Sequence, residues 1–425
     1  MNIEKITSEK LGETYYSIKH PTGLQIYVMP KENYSSAYAV FGTRYGSTDT
    51  GFKRSDEKDF VEIPEGTAHF LEHKLFESEE LDAFARYAKT GASANAYTSF
   101  DQTCYLFSCS GDFDASLEIL LDFVQSPYFT KETVDKEQGI IGQEIRMYQD
   151  EPGWQVEFNC LRAMYKNHPV RIDIAGTQES IAQIDADMLY RCYNTFYNLK
   201  NMVLAVVGNI TPEQVLKTAD KMLKKSEDVT VEKMPHDEPY EVASDYIEQK
   251  LAVSVPLFML GSKENYPEMQ RPLDHRLKMS VLLQIIAGKT SPLYKRLFDK
   301  GLINSSFGTE YFAGYGYSAS LFSGESANPK EVAEEIKAEI AAFKENGISD
   351  EDFETVRRKM YGREIMGFND IDELANSFVA SHFLGSSIFD TVRILRDMKK
   401  EDVEKVLSES FDPSLYSLSV ILPNN

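Results

Sequence analysis

The segment Gly66-Thr67-Ala68-His69-Phe70-Leu71-Glu72-His73-Lys74-Leu75-Phe76 carries two histidines four residues apart, with a glutamate directly before the second. On a helix, positions i and i+4 lie one above the other, so this spacing predicts that His69 and His73 present two imidazoles to one metal ion. Neutral imidazoles hold Zn²⁺ without cancelling its charge, and a catalytic zinc site needs three protein ligands and an open fourth position. Glu72 lies near the same face. Its free carboxylate can take a proton from water and return it later, the work of a general base. A third ligand must come from elsewhere. A helix predicted over Thr130–Gln149 carries Glu137 and Glu144, seven residues apart and so almost on one face; either can be that ligand, the other serving to orient a ligand.

The His-x-x-Glu-His order reverses the commoner His-Glu-x-x-His of zinc peptidases. The bland alternative is two surface histidines on a solvated helix. The apolar Phe70, Leu71, Leu75 and Phe76 around them predict a partly buried helix instead, where two histidines and a glutamate need a purpose. Thr67 is the predicted cap of that helix. Thr130 caps the second, with Phe129 and Val134 at the staple positions, and Pro152-Gly153 ends it.

The elements that must position these groups are legible in outline. Residues 23–29 and 38–46 read as strands, and 93–100 with 103–107 as a hairpin turning at Asp101-Gln102. Residues 202–207, Met-Val-Leu-Ala-Val-Val, form a buried-strand run. The charged stretch 224–245, with Pro235 and Pro239, reads as a linker. Beyond it the order of elements repeats: Gly-Ile-Ile-Gly-Gln-Glu-Ile at 139–145 is echoed by Lys-Met-Tyr-Gly-Arg-Glu-Ile at 359–365. We therefore expect an α+β fold of two similar domains, 1–223 bearing the metal and 246–425 without it, each an antiparallel-rich sheet covered by helices.

Composition narrows the function classes. In 425 residues, 45 basic against 67 acidic side chains give a net charge of −22, which disfavours nucleic acid and anionic lipid as partners. Hydrophobic residues make up 42% of the chain, but no apolar run reaches the length of a signal peptide or a membrane span. Cys104, Cys109, Cys160 and Cys192 lack metal-type or disulfide-scaffold spacing. Reduced thiols and a cytoplasmic location are the expectation.

The sequence resembles the pitrilysin/insulinase metallopeptidases, especially their mitochondrial processing peptidase-like branch and its short bacterial members. The resemblance runs from Arg44-Tyr45-Gly46-Ser47 through residues 66–73, then Gly91-Ala92-Ser93-Ala94-Asn95-Ala96-Tyr97-Thr98, Glu137, Glu144 and Asn201 to Pro212. The second half shares only the layout. The resemblance implies one zinc ion held by His69, His73 and Glu144, Glu72 as catalytic base, and Glu137 as a supporting catalytic residue. It also implies a substrate-binding edge strand at Asn95 and Ala96, where an extended peptide adds by main-chain hydrogen bonds.

One departure stands out. Active members carry an Arg and a Tyr seven residues apart in the second half, to hold the scissile carbonyl. Aligning Gly301-Leu302 puts Leu297 and Asn304 there, and the adjacent Arg296 projects from another helix face. In the heterodimeric branch a partner supplies that pair. The expectation is thus the zinc-bearing subunit of a heterodimeric endopeptidase for short extended or unstructured peptides. A non-catalytic assembly subunit is the alternative. A small-molecule metal lyase with the same motif is disfavoured, because such chains are far shorter and use a Cys as third ligand.

Overall fold

A computed structural model describes residues 2–225, 229–264 and 270–424. Its strands, in chain order, are β1 (Asn2–Ser8), β2 (Glu13–Lys19), β3 (Gln25–Pro30), β4 (Ala37–Thr43), β5 (Gly51–Arg54), β6 (Val61–Glu62), β7 (Ser93–Thr98), β8 (Thr103–Cys109), β9 (Met202–Gly208), β10 (Val231–Lys233), β11 (Tyr246–Leu251), β12 (Leu257–Lys263), β13 (Gly308–Gly314), β14 (Tyr317–Glu325) and β15 (Tyr416–Pro423). The first five helices are α1 (Thr67–Leu75), α2 (Ala83–Thr90), α3 (Phe113–Phe123), α4 (Lys131–Gln149) and α5 (Pro152–Met164).

The apolar runs become central strands. β4 and β9 are buried along their whole length, as a strand covered on both faces requires. They sit in a seven-stranded sheet of order β1-β2-β3-β9-β4-β8-β7, and a second sheet has the order β11-β15-β12-β14-β13. Each sheet has one parallel pair, β3 with β9 and β11 with β15, and is otherwise antiparallel. Setting β1 and β2 aside, the topologies are the same: the first strand lies beside the last, followed by the second, fourth and third. The expected α+β fold of two similar, antiparallel-rich domains is what the chain adopts.

The compact units interleave along the sequence, whereas contiguous domains 1–223 and 246–425 were expected. One unit comprises residues up to Ile145, Asp173–Met234 and Ile365–Phe389. The other comprises Arg146–Ile172, Pro235–Glu364 and residues from Asp390 onward. The cause is a reciprocal exchange of equivalent helices. After α4, helix α5 packs on β11, β12 and β15 of the second sheet; after its counterpart Asp350–Gly367, helix Ile371–Leu384 packs on β4 and β9 of the first. Each receiving central strand has a glycine under the incoming helix. A Cβ at Gly42 would come within 2.8 Å of Val379 Cγ1, and one at Gly261 within 2.9 Å of Cys160 Sγ and into Met164 Sδ. A side chain at either position would push the helix off its sheet.

Of the expected linker 224–245, residues 226–228 lie outside the described residues. β10 pairs antiparallel with β5 in a small sheet with β6. Further on, Glu238 accepts the backbone N–H groups of Lys166, Asn167 and His168 at 3.1, 2.7 and 2.8 Å.

Candidate metal centre

α1 buries Phe70, Leu71 and Leu75 in the first unit, and this fixes which way its other face points. The cap position is Gly66 rather than Thr67, whose hydroxyl donates to Pro64 O at 2.6 Å. One turn apart, the His69 and His73 rings lie 4.6 Å centroid to centroid. α4 begins as expected at Thr130, whose Oγ1 accepts from Thr133 N at 3.2 Å. Two of its turns bring Glu137 and Glu144 up to α1.

The two glutamates take different places. Glu144 Oε2 lies 3.4 Å from His73 Nε2 and 3.8 Å from His69 Nε2, and one ligand atom from each of the three residues falls within 4.8 Å of the others. Glu137, only 5% exposed, meets the other ring nitrogen of His73, Nδ1, at 2.9 Å from its Oε1. Glu137 thus meets His73 on the side of the ring away from Glu144.

A zinc ion fits this donor set. Tetrahedral ligands at about 2.0–2.1 Å from the metal stand about 3.3 Å apart, which the 3.4 Å between His73 Nε2 and Glu144 Oε2 nearly matches and the 3.8 Å from His69 Nε2 exceeds. His69 is 8% exposed, yet its Nδ1 has no hydrogen-bond partner, and its Nε2 comes no closer than 3.8 Å to the Glu144 carboxylate. The donor that a metal ion would engage is Nε2, a buried imidazole nitrogen turned toward a carboxylate beyond hydrogen-bond reach. Burial, then the neighbouring His73, push the His69 imidazole down to about 3, so it stays neutral with a lone pair to give. Burial acts the same way on His73, but its bond to Glu137 and the carboxylates of Glu72 and Glu144 outweigh it and hold the ring above its usual value.

Glu72 is 8% exposed. Burial raises its carboxyl above the ordinary range, against an opposing hydrogen bond from Thr98. Thr98 Oγ1 donates to Glu72 Oε2 at 2.7 Å. Sequence reasoning assigned Thr98 no role. The contact spans 26 positions and is set by how the β7–β8 hairpin lies beside α1, so no local periodicity signals it.

Asn95 and Ala96 lie on β7, the last strand at one edge of the sheet. Asn95 is exposed, and its Oδ1 accepts the N–H of Ala96 at 2.9 Å. In the second unit Leu297 is wholly buried and Asn304 donates to Glu325 Oε2. Arg296 is engaged by Glu335 and Glu339 at 3.2 and 2.7 Å. All four cysteines are buried and free. Among the described residues no helix is long and apolar enough to cross a membrane.

Residues 60–178 match the family model described as Insulinase (Peptidase family M16), and residues 183–360 the one described as Peptidase M16 inactive domain. The chain is 40% identical to the Bacillus subtilis protein named uncharacterized zinc protease YmfH, over the whole of both. It is 30% identical to the mitochondrial-processing peptidase subunit beta of Caenorhabditis elegans, over 47% of this chain and 43% of that protein. A crystal structure of an M16-like peptidase from Alicyclobacillus acidocaldarius superposes with a TM-score of 0.92 at 34% identity, covering 100% of this chain and 99% of the other. A Helicobacter pylori protease shares the fold at a TM-score of 0.83 and 21% identity, over 97% of this chain and 100% of the other.

Proposed function

This chain belongs to the insulinase-type M16 peptidase family, and from that premise we propose that it is a zinc endopeptidase acting on short extended or unstructured peptides. The observation that carries the reading is the convergence of His69, His73 and Glu144 from two helices beside a buried glutamate, Glu72, one residue from a histidine of the set. His69, His73 and Glu144 hold one zinc ion. Bound there, zinc supplies positive charge that acidifies water and polarises the peptide carbonyl.

The chain's own residues do the rest. Glu137 fixes the His73 ring so that Nε2 faces Glu144. Glu72 takes a proton from the attacking water on the oxygen that Thr98 leaves unengaged; as the C–N bond breaks, the same proton passes to the leaving amine. A carboxyl raised by burial is a stronger base than an ordinary one, which suits it to accept the water proton. The edge of β7 at Asn95 and Ala96 pairs with the peptide main chain, which tolerates varied side chains; the Ala96 N–H, held by Asn95 Oδ1 in the free chain, exchanges that partner for the peptide.

The group that holds the scissile carbonyl comes, in this reading, from a related partner subunit bearing an Arg/Tyr pair. Support lies in the chain itself: Leu297 is core, Asn304 is tied to Glu325, and Arg296 is spent on Glu335 and Glu339. Four free, buried thiols support a reducing compartment, the cytoplasm. The second reading, a non-catalytic assembly subunit, is separated by Glu72→Gln. Zinc retained and activity lost supports the enzyme. A wild type that cleaves no peptide, alone or with its partner, supports the scaffold.

A further inference from the structure

We infer that Thr98 is the positioning residue for Glu72, and that it ties the carboxylate's orientation to the register of a peptide docked on β7. The inference rests on the reading of Glu72 as the base. The Thr98 hydroxyl donates to Glu72 Oε2 at 2.7 Å, within the short range of bonds to a charged acceptor. The Glu72 carboxylate makes no other hydrogen bond among the described residues, so its second oxygen is left for the proton. Without this anchor no hydrogen bond within the described residues fixes which way the carboxylate faces.

Thr98 is itself stiffly held. A β-branched residue on a strand has few χ1 choices. Across the hairpin, Thr98 is paired with Thr103, whose Oγ1 lies 3.3 Å away and donates to Tyr45 O at 2.9 Å. Thr103 is completely buried. An ionised carboxylate can only accept, so in the contact with Glu72 it is Thr98 that donates.

The link to substrate register follows from the hairpin geometry. At its turn Ser99 N donates to Gln102 O at 2.8 Å. In the observed register the hydrogen-bonded pairs are then Tyr97 with Cys104, Asn95 with Leu106 and Ser93 with Ser108. The backbone N–H and C=O of Thr98, Ala96 and Ala94 point away from β8, toward the free edge. Thr98 is thus at once the end of the docking edge and the anchor of Glu72. On the opposite face of β7, Tyr97 OH donates to Asn376 Oδ1 at 2.9 Å, which ties the strand to helix Ile371–Leu384.

The test compares Thr98→Val, nearly isosteric but without the hydroxyl, with Thr98→Ser, which keeps it, in the zinc-loaded assembly that shows wild-type activity. For Thr98→Val we expect kcat about 10–100-fold lower, the usual cost of losing an orienting partner, with KM within about threefold and zinc content unchanged. Thr98→Ser restores most of the rate. Crystal structures of the zinc-loaded proteins should show Glu72 in one conformer in the wild type and displaced in Thr98→Val. An unaltered kcat, an equal loss in Thr98→Ser, or an unmoved Glu72 overturns the inference. If Glu72→Gln keeps full activity, the base assignment falls first and this inference with it. If Glu72→Gln is inactive and zinc-bound while Thr98→Val is normal, only the inference falls.

Discussion

Glu137 Oε1 stands 2.9 Å from His73 Nδ1, on the opposite side of the ring from the Nε2 that faces Glu144. A carboxylate there keeps the proton on Nδ1, leaves the lone pair on Nε2 and stops the ring from turning. Replacing Glu137 with Ala should weaken zinc binding about 10–100-fold, read by competition with a calibrated chelator. Glu137→Gln should cost less, since its amide oxygen still accepts from Nδ1. Equal zinc affinity in all three proteins would remove Glu137 from this role.

The two glutamates of α4 should respond in a fixed order. Glu144→Gln removes a charged member of the three-residue cluster, whereas Glu137→Gln only loosens one member's support. Zinc retained after dialysis should therefore fall furthest in Glu144→Gln. Glu144→Asp, which withdraws the carboxylate by about 1.5 Å, should also lose metal. A Glu144→Gln protein that keeps zinc better than Glu137→Gln would reverse the assignment.

At pH below the raised His73 value, zinc binding should displace one imidazole proton, not two. His73, raised by its carboxylate neighbours despite burial, must lose a proton to bind; His69, pushed down to about 3, has none to lose. Apparent affinity should hence fall about tenfold per unit as pH drops below the His73 value. Calorimetry in buffers of different ionisation enthalpy counts the protons released, and two would show that His69 is also protonated.

In the second unit, burial, with the Glu310 carboxylate adding to it, pushes the Glu157 carboxyl up to about 7. The folded state then binds more protons than the unfolded chain between pH about 4.5 and 7, so this group's contribution to stability falls as pH rises across that window. Glu157→Gln should relieve the loss. Allowing for partial exposure, it should gain about 1–3 kcal/mol at pH 8 relative to its effect at pH 5. Thermal denaturation at the two pH values measures the difference, and the same shift at both would contradict it.

Gly46 supports the hairpin that carries Thr98. A Cβ there would collide with the Phe100 carbonyl and the Asp101 nitrogen, backbone atoms at the hairpin's turn that cannot swing aside. Gly46→Ala should cost about 1–3 kcal/mol, as overpacking does, and lower kcat through the displaced Thr98. Wild-type stability in denaturant titration would show that the turn accommodates the methyl group.

Within the centre, the histidine pair was legible from sequence because one turn of helix decides it. Residues four apart share a face wherever α1 is placed, and the apolar residues between them say which face is buried. The same local rule put Glu137 and Glu144 on one stripe of α4 but left open which of them meets the histidines. That depends on how far α4 slides along α1, a quantity of packing. The domain count was legible too, since a duplicated order of strands and helices leaves its echo at Glu144 and Glu364.

Other features were settled only in three dimensions. The Thr98 bond to Glu72 depends on hairpin register, and the helix cap on the backbone at Gly66 rather than on the Thr67 side chain. The exchange of α5 and Ile371–Leu384 depends on glycines, Gly42 and Gly261, that matter only once a helix lies over them. Sequence by itself determined the chemistry available, because ligand types and helical spacing are local properties. The tertiary structure decided which groups orient which, because that is fixed by contacts between segments tens to hundreds of residues apart, where no periodicity reaches.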